Sequence, residues 1–122
     1  VTEGGILGAT CEMCRASKIG VALGVDKIPA DKEVSAICEL FKIDPLASIG
    51  AGSLLLVCDK EKSQAIVDRL SKNDIKAAII GETCSYEKGK TVLKNGGSAE
   101  LMYQETDPYW AAYFNAITKK LD

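Results

Sequence analysis

The chain opens on a glycine-rich helix start, with Thr2, Glu3, Gly4 and Gly5 directly ahead of an apolar run. Thr2 can cap this helix, because its hydroxyl can accept a hydrogen bond from a first-turn N–H group. Gly4 and Gly5 carry no side chains, so a ligand or another chain can approach their backbone closely. The unpaired N–H groups and the positive helix end suit an anion. Since a domain rarely begins on such a motif, we expect a fragment of a larger protein.

Two alternatives stay open for this opening motif, which covers residues 2–5. It can hold a phosphate or nucleotide substrate at the helix terminus, or its small residues can serve packing against a sheet or a neighbouring domain. Glu3 is the one carboxylate in the motif, so it is the candidate for contact with a metal ion or a proton. The other interpretation of Glu3 is simple complementation of the helix dipole in the first turn.

Composition excludes several classes of function. The 122 residues suffice for one domain, and the net charge of −2 with no basic run argues against a nucleic-acid surface. No apolar stretch approaches the roughly 20 residues that span a membrane. Five cysteines and no histidine favour reduced thiols and a cytoplasmic setting. The lack of histidine also excludes imidazole acid–base catalysis and mixed Cys/His zinc sites.

Hydrophobic periodicity predicts an α+β chain. The predicted helices cover 3–16, 31–41, a segment after Asp59, and a last segment that Asp107 caps with Pro108 at its first position. The predicted strands cover 19–23, 54–58 and 76–81, followed by a hairpin of 91–94 and 99–103. This order matches a layered mixed sheet with a ferredoxin-like, split βαβ core and flanking helices. The predicted inward faces are Val34, Ile37, Cys38 and Phe41 in the second helix, and Ile66, Val67 and Leu70 in the third.

A second candidate binding segment is the loop of residues 48–53. Its glycines can present backbone N–H groups as an anion nest, and the alternative is an ordinary connection into a buried strand. The candidate residues of this loop are Ser48, Gly50, Gly52 and Ser53.

The pair Cys11 and Cys14 has the CxxC spacing of metal and redox sites. A structural zinc site needs four ligands, and the other cysteines are scattered singly. A redox CxxC lies at a helix N-terminus, whereas this pair lies two turns into its helix. We therefore expect both cysteines to be small packing residues, and we predict no metal site.

The last helix carries an aromatic stripe. Its apolar residues recur at helical spacing, which favours a core face or a face that covers a sheet over a partner surface. The stripe consists of Trp110, Tyr113, Phe114, Ile117 and Leu121.

Five motifs in register resemble the C-terminal domain of the aminoimidazole ribonucleotide (AIR) synthase superfamily, near its hydrogenase expression/formation protein branch. They are Thr2–Ala9, the run from Glu12 to Gly20, Cys38–Leu46, Gly52–Leu55 and Ile80–Glu82. The resemblance covers nearly all of residues 1–103. It implies an α+β domain that closes one side of a cleft.

The resemblance also implies a larger enzyme. Family members use ATP and Mg²⁺, mainly through an N-terminal domain, to phosphorylate an oxygen of a small-molecule substrate, and they usually form homodimers. We therefore expect residues 1–122 to be a single C-terminal domain, with its own N-terminal ATP-binding domain as a partner absent from this chain. The chain alone should be inactive. Ala51 replaces a glutamate of the hydrogenase maturation protein, and the chain lacks that protein's terminal cysteine, so its substrate stays unassigned. The alternative is a ligand-binding or dimerisation module without catalysis.

Overall fold

The computed structural model describes residues 1–102, 104 and 106–119. Within these ranges the helices are α1 (Gly5–Ser17), α2 (Lys32–Phe41), α3 (Lys60–Ser71) and α4 (Pro108–Thr118). The strands are β1 (Ile19–Gly24), β2 (Gly81–Ser85), β3 (Lys90–Lys94) and β4 (Gly97–Glu100). Short 3-10 helices occupy Val25–Lys27 and Tyr86–Lys88. Of the helices in the described ranges, none is long and apolar enough to cross a membrane.

The chain forms two compact units. The first contains Val1–Met13, Ala30–Leu55 and a segment that starts at Met102, so it holds the start of α1 together with α2 and α4. The second contains Cys14–Pro29 and Leu56–Leu101, and therefore holds the sheet and α3.

The four strands of the second unit form one mixed sheet in the order β2-β1-β3-β4. The central strand β1 pairs antiparallel with β2 and parallel with β3, and β3 pairs antiparallel with β4. Val21 and Leu23 of β1 are buried, as expected for the apolar residues of a central strand. The predicted α+β class with a mixed sheet is confirmed.

The predicted hairpin is also confirmed, with a tighter turn than expected. Lys94 pairs with Gly97, so the loop consists of Asn95 and Gly96 alone. Both have positive φ, 49° and 77°, which two-residue type I′ hairpins require. The asparagine–glycine pair thus fixes the register of β3 and β4.

The predicted strand over 54–58 is wrong, because this segment joins no strand in the described sheet. Leu54, Leu56 and Val57 are exposed to 79%, 54% and 52%. The predicted strand over 76–81 is displaced, since β2 begins at Gly81. An apolar run shows that a segment is suited to burial, but a strand also needs a neighbouring backbone to pair with.

The predicted inward face of α2 is wrong except at one residue. Cys38 is buried, whereas Val34, Ile37 and Phe41 are about half exposed. The periodicity correctly places these residues on one face of a helix but does not identify what covers that face. In α3 the predicted inward residues Ile66, Val67 and Leu70 are half-buried.

The aromatic stripe of α4 is largely exposed in the described part of the chain. Trp110, Tyr113, Phe114 and Ile117 are exposed to between 36% and 58%, and Leu121 lies outside the described residues. The rings contact one another along the helix, with Trp110 and Tyr113 edge to face at a centroid separation of 6.1 Å. The expectation that the stripe is a buried core face is therefore wrong for the residues that the structure describes.

Candidate functional site

The start of α1 takes its capping from a residue far along the chain. The backbone N–H of Gly4 donates to Oδ2 of Asp107 at 2.8 Å, and Asp107 is 4% exposed. The other oxygen, Oδ1, accepts from the N–H of Tyr109 at 2.8 Å and so caps α4 as predicted. One buried carboxylate therefore serves the first turns of two helices.

Thr2 contributes to this helix start through its backbone. Its carbonyl accepts from the N–H groups of Gly5 at 3.3 Å and Gly50 at 3.1 Å. Its side chain is exposed. The capping oxygen that reaches Gly4 belongs to Asp107, which corrects the prediction that the Thr2 hydroxyl caps the helix.

Gly5 has a packing requirement inside the chain. Its φ is +60°, and a β-carbon there would meet the carbonyl oxygens of Leu46 and Ser48, the latter at 2.6 Å. The Leu46 carbonyl also accepts from the N–H of Leu7 at 3.1 Å. Of the two alternatives for Gly5, the geometry supports close packing by the chain's own backbone.

The two predicted binding segments, 2–5 and 48–53, lie together in the first unit. The terminal amino group of Val1 donates to the Ser53 carbonyl at 2.9 Å, beside the Gly50–Thr2 hydrogen bond. The side chain of Val1 packs against Gly50. A β-carbon added to Gly50 would lie only 2.8 Å from Cγ1 of Val1. Two segments that the sequence suggested separately thus form one surface.

The residues of that surface differ in their exposure to solvent. Thr2, Glu3, Gly52 and Ser53 are exposed, and Gly52 has a φ of +93° with open space beside it. Gly4 and Gly5 are buried, and Gly50 is half-buried. Ser48 is 5% exposed and donates its hydroxyl to the Asp44 carbonyl at 2.7 Å. The exposed four are therefore the members that a ligand can reach.

Glu3 has a partner on α4. Its Oε1 accepts from Nε1 of Trp110 at 3.3 Å. This contact reinforces the Asp107–Gly4 hydrogen bond, so α4 is tied to the opening motif at two points.

A cavity of about 370 Å³ lies beside this region in the first unit. Gly4 and Pro108, the neighbours of the Asp107 hydrogen bond, form part of its wall. The remaining lining residues are Leu7, Lys42, Ile43, Asp44, Ala47, Met102 and Gln104. Sequence reasoning did not find this cavity, because its wall joins three segments that are distant in sequence.

The CxxC cysteines are buried, at 3% exposure for Cys11 and 1% for Cys14. Burial raises the pKa of the Cys14 thiol, and Cys84 adds to this while the Lys90 ammonium opposes it. Burial suits the packing role that we predicted. Within the described residues, no group of three or more possible metal-ligating side chains occurs.

Residues 1–94 match the family described as AIR synthase related protein, C-terminal domain. Helix α4 lies beyond this matched range. A hydrogenase expression/formation protein of Methanocaldococcus jannaschii is 33% identical over 90 residues, which cover 72% of this chain and 27% of that protein. Carbamoyl dehydratase HypE of Azotobacter vinelandii is 32% identical over 88 residues, covering 70% and 26%. The chain thus spans about a quarter of the length of these curated relatives.

The fold comparison agrees with the sequence comparison. A crystal structure of the hydrogenase maturation protein HypE in complex with ATP superposes with a TM-score of 0.76 and 24% identity, covering 88% of this chain and 35% of that one. The match over residues 1–94 shows that the chain belongs to the AIR synthase-related C-terminal domain family.

Proposed function

We propose that this chain is the substrate-side C-terminal domain of an ATP-dependent, HypE-like enzyme that phosphorylates an oxygen of a small-molecule substrate. The observation that carries the proposal is the family match over residues 1–94, with hydrogenase expression/formation proteins among the relatives. The ATP bound to one HypE supports nucleotide use by the complete protein. The substrate and product stay open.

We further propose that ATP and Mg²⁺ are held mainly by a separate N-terminal domain, and that the complete protein is a cytoplasmic homodimer. The relatives are about four times as long as the region they share with this chain, which leaves room for such a domain. Residues 1–122 would then be a single C-terminal domain bound to its own N-terminal domain.

The substrate side of the proposed cleft consists of the joined segments 2–5 and 48–53. Four of their residues are exposed and can contact a ligand: Thr2, Glu3, Gly52 and Ser53. The buried members Gly4, Gly5 and Ser48, together with half-buried Gly50, hold the two segments in place through the backbone contacts already described. In this arrangement Thr2 and Ser53 supply hydroxyl groups, and Glu3 supplies the carboxylate.

One observation favours the alternative of a ligand-binding or dimerisation module without catalysis. The N–H of Gly4, which would be a donor to a substrate anion, already donates to the buried carboxylate of Asp107. If α4 keeps this contact in the complete protein, the opening motif has one donor fewer for a phosphate group.

The test compares variants of the complete gene product in ADP formation from Mg-ATP. Glu3→Gln and Ser53→Ala should lower turnover several-fold without lowering the melting temperature, because both side chains are exposed. Glu12→Gln, at an exposed position of α1, is the matched control. Equal turnover in all three variants would contradict the proposed site, and a complete protein with no ATP-dependent activity would favour the module.

A further inference from the structure

The cavity of about 370 Å³ in the first unit has the size of a small-molecule pocket. It lies between the start of α1, the turn after α2 and the segment that precedes α4. Leu7, Ile43 and Ala47 supply apolar lining, whereas Lys42, Asp44 and Gln104 supply polar groups. A mainly apolar wall with a few polar groups is the usual composition of such pockets.

Lys42 occupies a backbone position that normally selects glycine. It ends α2 in the left-handed conformation, with φ 54° and ψ 41°, and its N–H bonds to the carbonyls of Cys38 and Glu39. The N–H of Ile43 returns to the Cys38 carbonyl at 2.9 Å, which completes a Schellman-type helix end. A β-carbon is unfavourable at this position, so the turn itself does not explain a lysine.

Lys42 lines the cavity as an exposed residue, and it forms no ion pair among the described residues. The two ion pairs in that part of the chain join Lys60 to Glu82 and Lys62 to Asp59. A lysine in an unfavourable backbone conformation thus forms part of the wall of a pocket.

Asp44 also lines the cavity, and among the described residues it forms no ion pair with Lys42. Its Oδ1 accepts from the N–H of Leu46 at 2.9 Å, and its carbonyl accepts from the Ser48 hydroxyl at 2.7 Å. Asp44 therefore holds the turn that carries Ala47. The cation of Lys42 and the amide of Gln104 remain as donors that can recognise an acid group.

We propose that this cavity binds a small organic acid, with its acid group at Lys42 and Gln104 and its apolar body against Leu7, Ile43 and Ala47. The inference goes beyond the proposed function, because it requires neither ATP nor a second domain. It concerns a pocket that shares only Gly4 with the predicted substrate site.

The experiment is a ¹H–¹⁵N NMR titration of the 122-residue chain with phenyl phosphate, without nucleotide. Benzyl alcohol serves as the neutral probe of the same ring size. Phenyl phosphate should shift the amide signals of Leu7, Ile43 and Ala47 saturably. Lys42→Met should weaken its binding about fivefold or more, because a charge-assisted contact is lost, and should leave the response to benzyl alcohol unchanged.

Two further variants make the result decisive. Lys42→Gly removes the charge and relieves the left-handed conformation, so it should fold at least as well as the parent and still lose phenyl phosphate binding. Lys72→Met makes the same charge change at the C-terminal end of α3 and should leave binding within about twofold. Unchanged affinity in Lys42→Gly, or shifts confined to the aromatic stripe of α4, would overturn the proposal.

Discussion

The N–H of Gly4 and the carboxylate of Asp107 form a buried 2.8 Å hydrogen bond between residues that are 103 positions apart. Asp107 also caps α4, so the same side chain fixes the first turns of the helices at both ends of the described fold. The Glu3–Trp110 contact lies beside it. Within the described residues, side-chain contacts of Asp107 and Glu3 therefore join α4 to the opening motif.

Asp107→Ala should destabilise the chain by about 2–4 kcal/mol, because the buried N–H of Gly4 and the part-buried N–H of Tyr109 both lose their side-chain acceptor. Asp107→Asn keeps one acceptor oxygen and should cost about 1–2 kcal/mol. Urea unfolding, followed by circular dichroism, measures both changes.

Asp59→Asn is the matched control for the Asp107 variants. Asp59 also occupies a helix N-cap, but its carboxylate pairs with Lys62 at the surface and makes no capping hydrogen bond. Its replacement should change stability by less than about 0.5 kcal/mol. Similar losses of unfolding free energy at Asp59 and Asp107 would show that the buried hydrogen bond to Gly4 does not stabilise the chain more than a surface contact does.

Gly5→Val should unfold the chain more readily, and even Gly5→Ala should cost about 2–4 kcal/mol. The β-carbon would collide with the backbone of Leu46 and Ser48 and would adopt an unfavourable positive φ. Gly52→Ala shares the positive φ but faces open space, so it should cost about 1 kcal/mol.

Thermal melts of Gly5 and Gly52 variants separate the two interpretations of the opening glycines. If Gly5→Val melts like the parent and abolishes only the activity of the complete protein, then a ligand or partner approaches this backbone. If it melts well below the parent, the requirement for glycine is internal packing, which the structure supports.

Local signals predicted the elements that depend on local chemistry. Asp107 followed by Pro108 identified the start of α4, and the segment 95–98 between two strand-like runs identified the hairpin, because capping and turn geometry require particular residue types within a few positions. The prediction that the Thr2 hydroxyl caps the first helix was wrong, since the side-chain acceptor for the N–H of Gly4 is Asp107, 103 positions further along the chain.

Long-range relationships account for the other errors. The segment 54–58 has the composition of a buried strand, yet it has no pairing partner in the described sheet. Periodicity found the apolar face of α2 but could not show that Ile37 and Phe41 stay exposed. The joining of segments 2–5 and 48–53 likewise follows from backbone contacts that no residue type in either segment specifies.

The 122-residue chain should bind Mg-ATP weakly or not at all, because the proposed nucleotide site lies mainly in a separate N-terminal domain. Isothermal titration calorimetry of the chain and of the complete gene product tests this directly. Low-micromolar affinity in the chain alone, about −8 kcal/mol, would contradict the proposal that the N-terminal domain holds most of the nucleotide site.

The stability of the chain should fall at alkaline pH through Cys14. Burial raises the pKa of its thiol above the usual 9.0, with a further increase from Cys84 and an opposing effect of Lys90. Below the unfolded-state pKa the thiol is neutral in both states, so its burial contributes fully to stability. As pH rises through that value towards the folded-state pKa, the unfolded state ionises first and this contribution is lost.

Cys14→Ala should therefore show a shallower loss of unfolding free energy between about pH 8 and pH 10.5 than the parent does. At neutral pH the variant should be less stable by about 1–2 kcal/mol because of lost packing. Cys58→Ala is the control, since Cys58 is exposed, and it should keep the pH dependence of the parent. Urea titrations across this range measure the difference, and parallel pH profiles for the parent and Cys14→Ala would show that the buried thiol is not the group that titrates.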